Sequence, residues 1–246
     1  MGVRRDQMAT VSDSEPRTVI VTGGTRGIGL ACARAFAAAG DKVAVLARSS
    51  TTEHLCVPCD VADQASVDEA FSKVEAELGK AQVVIANAGI TRDTLLARMS
   101  EDDWQSVIDT NLTGAFHVAR RAIAPMMKAR WGRLVFISSV GAYLGAPGQA
   151  NYAATKAGMI GLARSIAREY AARGITANVV TPGPIDTEMT SGLTDDWRER
   201  TTAAVPVGRF GTPEEVASAV RFLASHEAAF ITGAILPVDG GLAMGH

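Results

Sequence analysis

Cysteine and long apolar runs are both scarce in this chain of 246 residues. Its three cysteines are too few for the disulfide framework of a small secreted domain. No apolar run approaches the roughly 18 residues of a membrane-spanning helix, and the N-terminal stretch MGVRRDQMATVSDSEPR lacks the apolar centre of a secretory signal. We therefore predict a cytoplasmic protein without a membrane segment, in which residues 1–16 form a flexible extension.

An excess of positive charge is absent as well. The formal net charge is −2, whereas nucleic-acid-binding domains are usually strongly basic, so we expect no nucleic-acid partner. Hydrophobic residues make up 47% of the chain and charged residues 20%, which is ordinary for a soluble protein with a sizeable core. The length then favours a single α/β domain over residues 17–246.

Metal-ligand spacing is confined to one short segment. Cys56 and Cys59 form a CxxC and His54 lies close by, so a metal or redox site is one interpretation. HLCVPCD has the character of a short strand, however, in which residues three apart point to opposite faces. No second pair of ligands accompanies it, as a structural zinc site would require. We predict that these cysteines are structural and that no metal is bound.

Short apolar runs alternate with longer helical patterns along the chain. Most runs are rich in Val and Ile and continuously apolar, as strands are when helices cover both faces of a parallel sheet. The predicted strands are 18–23, 42–47, 54–59, 82–87, 133–138, 176–181 and 234–238, and the predicted helices are 27–39, 63–78, 101–129, 151–172 and 213–224. This alternation predicts a Rossmann-type, doubly wound α/β fold with a parallel sheet of about seven strands and helices on both faces.

One connection is too short for this pattern. Only RSSTTE, residues 48–53, separates the second and third predicted strands, whereas a parallel crossover usually takes a dozen residues or more. Either the crossover helix is missing or the predicted strand boundaries are misplaced. A missing helix would leave the adenine end of a nucleotide groove more open.

A glycine-rich turn follows the first predicted strand. The segment TGGTRGIG, residues 22–29, precedes an alanine-rich helix. Its glycines would let the backbone turn sharply and approach a pyrophosphate at the helix N-terminus. The spacing Gly23-xxx-Gly27-x-Gly29 differs from GxGxxG, and glycine also serves ordinary turns, but the place after the first strand favours a nucleotide site.

Basic residues lie where the ribose of a dinucleotide would be recognised. An acidic residue at the end of the second strand would hold the 2′-hydroxyl of NAD, whereas a cation suits the 2′-phosphate of NADP. The chain has Ala47-Arg48 there, and Arg26 lies within the glycine turn. Two guanidinium groups near one phosphate would make strong charge-assisted hydrogen bonds. We predict NADPH, the alternative being that both arginines are ordinary surface residues.

Three candidate catalytic side chains follow the fifth predicted strand, and a fourth lies in the helical pattern before it. Tyr152 and Lys156 are four residues apart at the start of a predicted helix, which places them on one face. An ordinary tyrosine pKa near 10 is too high for efficient proton transfer at neutral pH, and a lysine ammonium within about 4–6 Å would lower that pKa. Ser139 ends the strand and could donate a hydrogen bond to a substrate carbonyl, while Ser138 would point the other way. Asn111 is a poor helix former inside a helical pattern.

Taken singly, each of these features has an ordinary structural interpretation, but together and in order they resemble the short-chain dehydrogenase/reductase family. The resemblance runs from Thr18 to the C-terminus. It rests on TGGTRGIG (22–29), CDV (59–61), NAG (87–89), NLTG (111–114), ISS (137–139), YAATK (152–156), PGPIDT (182–187) and VDGG (238–241). It implies a catalytic tetrad of Asn111, Ser139, Tyr152 and Lys156, in which Tyr152 donates the proton and Asn111 fixes a water in a proton relay.

The same resemblance implies where the cofactor is held. Asp60 and Val61 would flank the adenine, residues 87–89 would line the groove, and residues 182–187 would cover the nicotinamide. Lys156 would also hold the nicotinamide ribose. The implied cofactor-binding residues are Gly23, Thr25, Arg26, Gly27, Ile28, Gly29, Arg48, Asp60, Val61, Asn87, Ala88, Gly89, Tyr152, Lys156, Pro182, Gly183, Ile185 and Thr187.

Within the family, the chain is most similar to reductases of 3-oxoacyl thioesters on acyl carrier protein. Residues 148–169, 174–189 and 231–246 carry this similarity, which implies a role in fatty-acid synthesis and a homotetramer. The tetramer would form through the helices at 101–129 and 151–172 and the C-terminal strand region. Alternatives are the reduction of another ketone (acetoacetyl-CoA, a polyketide intermediate, a sugar or a xenobiotic) and a non-enzymatic NADPH sensor, which would be expected to lack Tyr152 or Lys156.

A carrier protein is acidic, so a basic docking patch is expected even on this chain. By the resemblance, Arg130 and Arg173 would dock the carrier. Further positive charge lies nearby in the sequence, at Arg120, Arg121, Lys128 and Arg133. The alternative is a solvated basic helix end, which the helix dipole favours in any case. Substrate would enter beside residues 187–211, which we interpret as a mobile lid.

Overall fold

A seven-stranded parallel sheet forms the centre of the protein, as seen in a computed structural model that describes residues 15–49, 53–192 and 194–244. The strand order is β3-β2-β1-β4-β5-β6-β7. The strands are β1 Thr18–Thr22, β2 Lys42–Ala47, β3 Leu55–Pro58, β4 Val83–Ala86, β5 Gly132–Ile137, β6 Ile175–Pro182 and β7 Ile235–Val238. Successive strands are added on one side of β1 up to β3 and on its other side from β4 onward. This change of side confirms the predicted Rossmann-type fold.

Nine α-helices accompany the sheet in the described ranges. They are α1 Gly27–Ala38, α2 Gln64–Leu78, α3 Glu101–Val107, α4 Gly114–Ala129, α5 Gly141–Leu144, α6 Ala150–Tyr170, α7 Glu188–Ser191, α8 Asp195–Ala204 and α9 Pro213–Leu223. None of these helices is long and apolar enough to cross a membrane. The predicted flexible extension, residues 1–16, lies outside the described part of the chain up to residue 14.

Two apolar layers cover the sheet because its strands alternate their side chains between the two faces. Val19 and Val21 of β1 pack with α1 and α9, whereas Ile20 packs on the other face with α2, α4 and α6. All five residues of β1 are buried. The continuously apolar sequence of the strands is therefore explained by burial on both faces.

The short connection between β2 and β3 shows no helix in its described residues. β3 pairs in parallel with β2, Ala44 opposite Leu55 and Ala47 opposite Pro58, so both predicted boundaries are correct to within one residue. A bidentate pair from Arg34 of α1 to Glu53, with N–O distances of 2.7 and 2.6 Å, anchors the end of this connection.

One helical prediction needs correction. The predicted helix 101–129 is interrupted by a π-helical turn, Ile108–Thr113, which separates α3 from α4. The segment 187–211, interpreted as a mobile lid, contains the helices α7 and α8 in its described residues. Its far end contacts α8 through the Phe210 ring, which lies 4.4 Å from the Arg198 guanidinium carbon and 6.1 Å from the Trp197 ring.

Candidate active site

The glycine turn between β1 and α1 forms the floor of a cleft at the carboxyl ends of the strands. Gly23 has a left-handed φ of 65°, and a Cβ there would lie 3.0 Å from the Ala88 Cα atom. The side-chain Nδ2 atom of Asn87 donates to the carbonyls of Thr22 and Gly23 at 3.0 and 3.1 Å. The Thr22 hydroxyl accepts from the backbone N–H groups of Asn87 and Ala88, both at 3.0 Å. The TGG and NAG motifs are thus bound to each other.

The N-terminus of α1 is open toward this cleft. Arg26 stands at the N-cap position but makes no side-chain capping bond, and no acidic residue lies in the first turn. The first backbone N–H groups of the helix therefore remain available, as an anion-binding helix N-terminus requires. These features fit the pyrophosphate of a dinucleotide.

The cleft has a volume of about 870 Å³, within the range of small-molecule sites. Every predicted cofactor-binding residue lines it, from the glycine turn to Thr187. Sequence reasoning missed several further lining residues, namely Leu46, Ser49, Cys59, Ile90, Thr91, Arg92, Thr110, Ile137, Ser138, Glu188 and Thr190. Most of them directly adjoin a predicted residue, so adjacency to a motif at a strand end was the signal that could have found them.

Basic side chains stand at one rim of the cleft. Arg48 directly follows β2 and is exposed, and no ion pair holds it among the residues that the structure describes. Arg26 makes a 3.3 Å ion pair with Glu188 of α7. The first acidic residue after β2 is Glu53, which is bound to Arg34 and does not line the cleft.

Ser139, Tyr152 and Lys156 meet at the other end of the cleft. The Lys156 side chain is 3% exposed, and its Nζ atom donates to the Ile137 carbonyl at 2.8 Å and lies 5.4 Å from the centre of the Tyr152 ring. The Ser139 hydroxyl lies close enough to the Tyr152 side chain to lower the pKa of its phenol. The Ser138 hydroxyl instead donates to the Lys156 carbonyl at 2.7 Å, so the two serines point apart as predicted.

Burial dominates the proton affinities of this cluster. It raises the pKa of Tyr152 above its usual value, although the Ser139 hydrogen bond lowers that pKa and the Asp93 carboxylate raises it further. The predicted lowering of the Tyr152 pKa is therefore wrong. Burial also lowers the pKa of Lys156 from 10.5 to about 8, because a desolvated ammonium loses its proton more easily.

The π-helical turn explains the unusual position of Asn111. This residue is wholly buried behind the cleft rather than on its wall. Its Oδ1 atom accepts from the Ile90 amide at 2.8 Å, and its Nδ2 atom donates to the Ile90 carbonyl at 3.0 Å and to the Thr155 hydroxyl at 3.3 Å. A single π turn inserted in a helix is frequent at functional sites, and here it brings an amide against the cleft wall.

Comparison with known proteins identifies the family. Residues 23–243 match the family model described as Enoyl-(Acyl carrier protein) reductase. The chain belongs to the short-chain dehydrogenase/reductase family. It is 51% identical over 232 residues to the 3-oxoacyl-[acyl-carrier-protein] reductase MabA of Mycobacterium tuberculosis, which covers 94% of either chain. It is 47% identical over 240 residues to the 3-oxoacyl-[acyl-carrier-protein] reductase FabG of Escherichia coli, covering 94% of this chain and 98% of the relative.

The two arginines predicted to dock a carrier lie at the opposite edge of this short-chain reductase. Arg130 follows α4 and Arg173 precedes β6, so both stand where strands begin, whereas the cleft lies where strands end. Tyr152 and Arg173 are separated by the length of α6, about 30 Å at 1.5 Å per residue. Both arginines are exposed, and the Arg130 guanidinium reaches the Ala172 carbonyl at 3.4 Å. The structure thus brings the two arginines together but not to the cleft of the same chain.

Two of the neighbouring charges do not add to this arginine surface. Arg133 is only 3% exposed; it donates to the carbonyls of Ser225 and Gly174, and its guanidinium carbon lies 4.4 Å from the centre of the Trp131 ring. Arg121 pairs with Glu75 of α2 at 3.0 Å. The expectation that they extend the basic patch is therefore wrong.

The two cysteines of the CxxC pack on opposite faces of the sheet in the short-chain reductase. Cys56 contacts the layer formed by α1 and α9, and Cys59 is buried in the other layer. Within the described ranges, no group of three His, Cys, Asp or Glu side chains could hold a metal ion. The opposite orientation follows from the alternation of side chains along a strand.

Proposed function

We propose that the protein reduces 3-oxoacyl thioesters carried on acyl carrier protein to 3-hydroxyacyl thioesters in fatty-acid synthesis, with NADPH as the reductant. Members of its family are oxidoreductases that use a nicotinamide cofactor. The observation that carries the proposal is the meeting of Ser139, Tyr152 and Lys156 in one cleft with the glycine turn. The relatives named as 3-oxoacyl-[acyl-carrier-protein] reductases, at 47% and 51% identity, support the substrate.

The chemistry assigned to each side chain follows from its surroundings. A bound reduced nicotinamide supplies the hydride. Ser139 and Tyr152 hydrogen-bond the substrate carbonyl oxygen and stabilise the negative charge that develops on it. The raised pKa of Tyr152 keeps its phenol protonated at neutral pH, which is the form that donates a proton. Lys156 then restores that proton, and Asn111 holds the relay that leads to solvent.

A loss of activity at alkaline pH is expected from Lys156. Because its folded pKa is lowered to about 8, the ammonium is present below that pH and lost as the pH rises through it. We expect kcat/KM for reduction to fall about tenfold per pH unit above pH 8, since this parameter reports groups of the free enzyme. A kcat/KM that stays constant from about pH 7 to about pH 9 would contradict this role.

NADPH is preferred over NADH in this proposal because Arg48 and Arg26 border the cleft where the ribose would lie. Replacing Arg48 with Asp is expected to lower kcat/KM for NADPH by about tenfold to a hundredfold, since hydrogen bonds to charged groups contribute about 1.5–3 kcal/mol. Activity with NADH should be kept or rise. Lys42→Asp, the same charge change at the other end of β2, is the control. Equal losses of kcat/KM for NADPH in the two variants would contradict the assignment of Arg48 to the 2′-phosphate.

Carrier docking at Arg130 and Arg173 is part of the proposal. Arg130 has a left-handed φ of 52°, a conformation that costs a non-glycine residue about 1–2 kcal/mol. Glycine would be less strained at this position, so the presence of an arginine side chain supports a role in docking. Because both arginines lie far from the cleft of their own chain, we propose that the carrier bound there serves the cleft of a neighbouring chain in a homotetramer.

Charge reversal tests the docking surface. Arg130→Glu and Arg173→Glu are each expected to lower kcat/KM about tenfold or more for a carrier-bound thioester and to leave the CoA thioester unaffected, because only the carrier is large and acidic. Arg221→Glu, at an exposed position of α9, serves as the control. Equal effects on both thioesters, or none on either, would argue against docking at this surface.

Reduction of a different ketone is the second candidate function. The catalytic groups of the cleft would reduce either a 3-oxoacyl thioester or another ketone. The choice between these substrates would depend on residues 187–211, which border the substrate entrance, and not on the fold. Equal turnover of free small ketones and carrier thioesters would favour it.

A further inference from the structure

The loop that follows β4, residues 90–94, forms one wall of the cleft beside Tyr152; we refer to it as the β4 loop. Its first three residues line the cleft. Asn111 holds its beginning through two hydrogen bonds to the Ile90 backbone, at 2.8 and 3.0 Å. The Asp93 carboxylate within the loop is close enough to raise the pKa of Tyr152.

The other end of the β4 loop is bound to the residues that immediately precede Tyr152. Three hydrogen bonds make this connection: Thr94 N to the Gly148 carbonyl at 2.8 Å, Gln149 Nε2 to Asp93 Oδ2 at 2.8 Å, and Asn151 Nδ2 to the Arg92 carbonyl at 3.1 Å. The bond between Gln149 and Asp93 is exposed and Thr94 and Gly148 are half-buried, whereas Asn151 is wholly buried. Asn151 is therefore the internal link between the loop and α6.

Asn151 uses all of its polar atoms in this link. Its Oδ1 atom accepts from the Tyr152 backbone amide at 2.7 Å, and its Nδ2 atom donates to the Asp103 carbonyl of α3 at 3.1 Å as well as to Arg92. An asparagine side chain offers one acceptor oxygen and two donor hydrogens. The single side chain thus connects the cleft wall, α3 and the residue that carries the phenol.

We propose that Asn151 is a positioning residue, which holds the β4 loop and Tyr152 in one fixed arrangement around the substrate carbonyl. The inference rests on the proposed reductase function. A misplacement of about 1 Å in a reacting group can cost a hundredfold in rate, so loss of the link lowers turnover without removing any group that touches substrate. Binding of NADPH changes little, because the cofactor contacts are spread along the whole cleft and Asn151 does not line it.

A second buried asparagine provides a matched control. Asn178 of β6 is also wholly buried, donates to the Ile231 carbonyl at 2.8 Å and accepts from the Ala234 amide at 3.1 Å. It joins β6 to the segment before β7 and does not line the cleft. Asn151→Ala and Asn178→Ala therefore remove comparable buried hydrogen bonds, but only the first lies beside Tyr152.

The experiment compares kcat, NADPH dissociation constant and thermal stability of both variants with the wild-type chain, using acetoacetyl thioester on carrier protein. Asn151→Ala should lower kcat tenfold to a hundredfold and leave NADPH affinity within about threefold, whereas Asn178→Ala should keep kcat. Equal kcat losses in the two stability-matched variants, or none in Asn151→Ala, would overturn the inference. Absence of turnover by the wild-type chain would instead overturn the proposed function.

A milder variant keeps the test decisive if Asn151→Ala folds poorly. Gln149→Ala removes the surface bond to Asp93 and leaves the buried Asn151 in place, so it should fold normally and lower kcat in the same way but less. A wild-type kcat in Gln149→Ala would show that the link to the β4 loop has no role in positioning.

Discussion

Replacing Tyr152 with Phe is expected to lower kcat for reduction at least about a thousandfold. The change removes the proton donor, worth about 10²–10⁴-fold, and one of two hydrogen bonds to the developing oxyanion. The ring and its packing near Lys156 remain. NADPH affinity should stay within about threefold of wild type, because the cofactor contacts are spread along the whole cleft. Stopped-flow turnover and fluorescence titration with NADPH measure the two quantities.

Tyr170→Phe is the matched control, since it makes the same substitution near the other end of α6. It should retain full activity. If Tyr152→Phe kept activity near the wild-type level, the phenol could not be the proton donor, and the assignment of the site would have to be abandoned.

Replacing Gly29 with Ala is expected to abolish cofactor binding at micromolar concentrations. A Cβ at this position would lie 2.4 Å from the Gly23 carbonyl oxygen and 2.5 Å from Asn87 Nδ2. Neither atom can move freely, since Asn87 itself bonds to the Thr22 and Gly23 carbonyls. The turn must open, which we expect to weaken NADPH binding about a hundredfold and to destabilise the fold by about 1–3 kcal/mol.

Gly161→Ala is the control for this glycine substitution. No atom lies within 4 Å of a Cβ at Gly161, which is exposed in the middle of α6. Alanine should stabilise that helix by up to about 1 kcal/mol and leave cofactor affinity unchanged. Calorimetric titration with NADPH and thermal unfolding compare the two variants; unchanged affinity in Gly29→Ala would contradict a pyrophosphate site at the turn.

Much of the fold could be predicted because its signals are local. The apolar strands are buried on both faces, so their sequences are continuous runs, and β2 was located at 42–47 to the residue. The glycine turn and the YxxxK pair likewise sit at fixed places relative to a strand end or a helix start. Motifs of this kind remain legible without knowledge of packing.

Features that depend on distant contacts could not be predicted. The π turn at 108–113 forms where Asn111 bonds the Ile90 backbone, a partner 21 residues away. The Lys156 charge is visible in the sequence and predicts a lowered pKa for Tyr152, whereas the burial that raises this pKa is not visible there. Arg133 was likewise expected to add surface charge, but it lies within β5, is buried and donates to the Gly174 carbonyl just before β6.

The most direct test of the proposed function is the oxidation of NADPH in the presence of an acetoacetyl thioester. The same acyl group is presented on acyl carrier protein and on CoA, each with NADPH and with NADH. We expect the highest kcat/KM with carrier protein and NADPH. Failure to turn over either thioester, by a chain that still binds NADPH, would contradict the 3-oxoacyl reductase function while leaving the cofactor site intact.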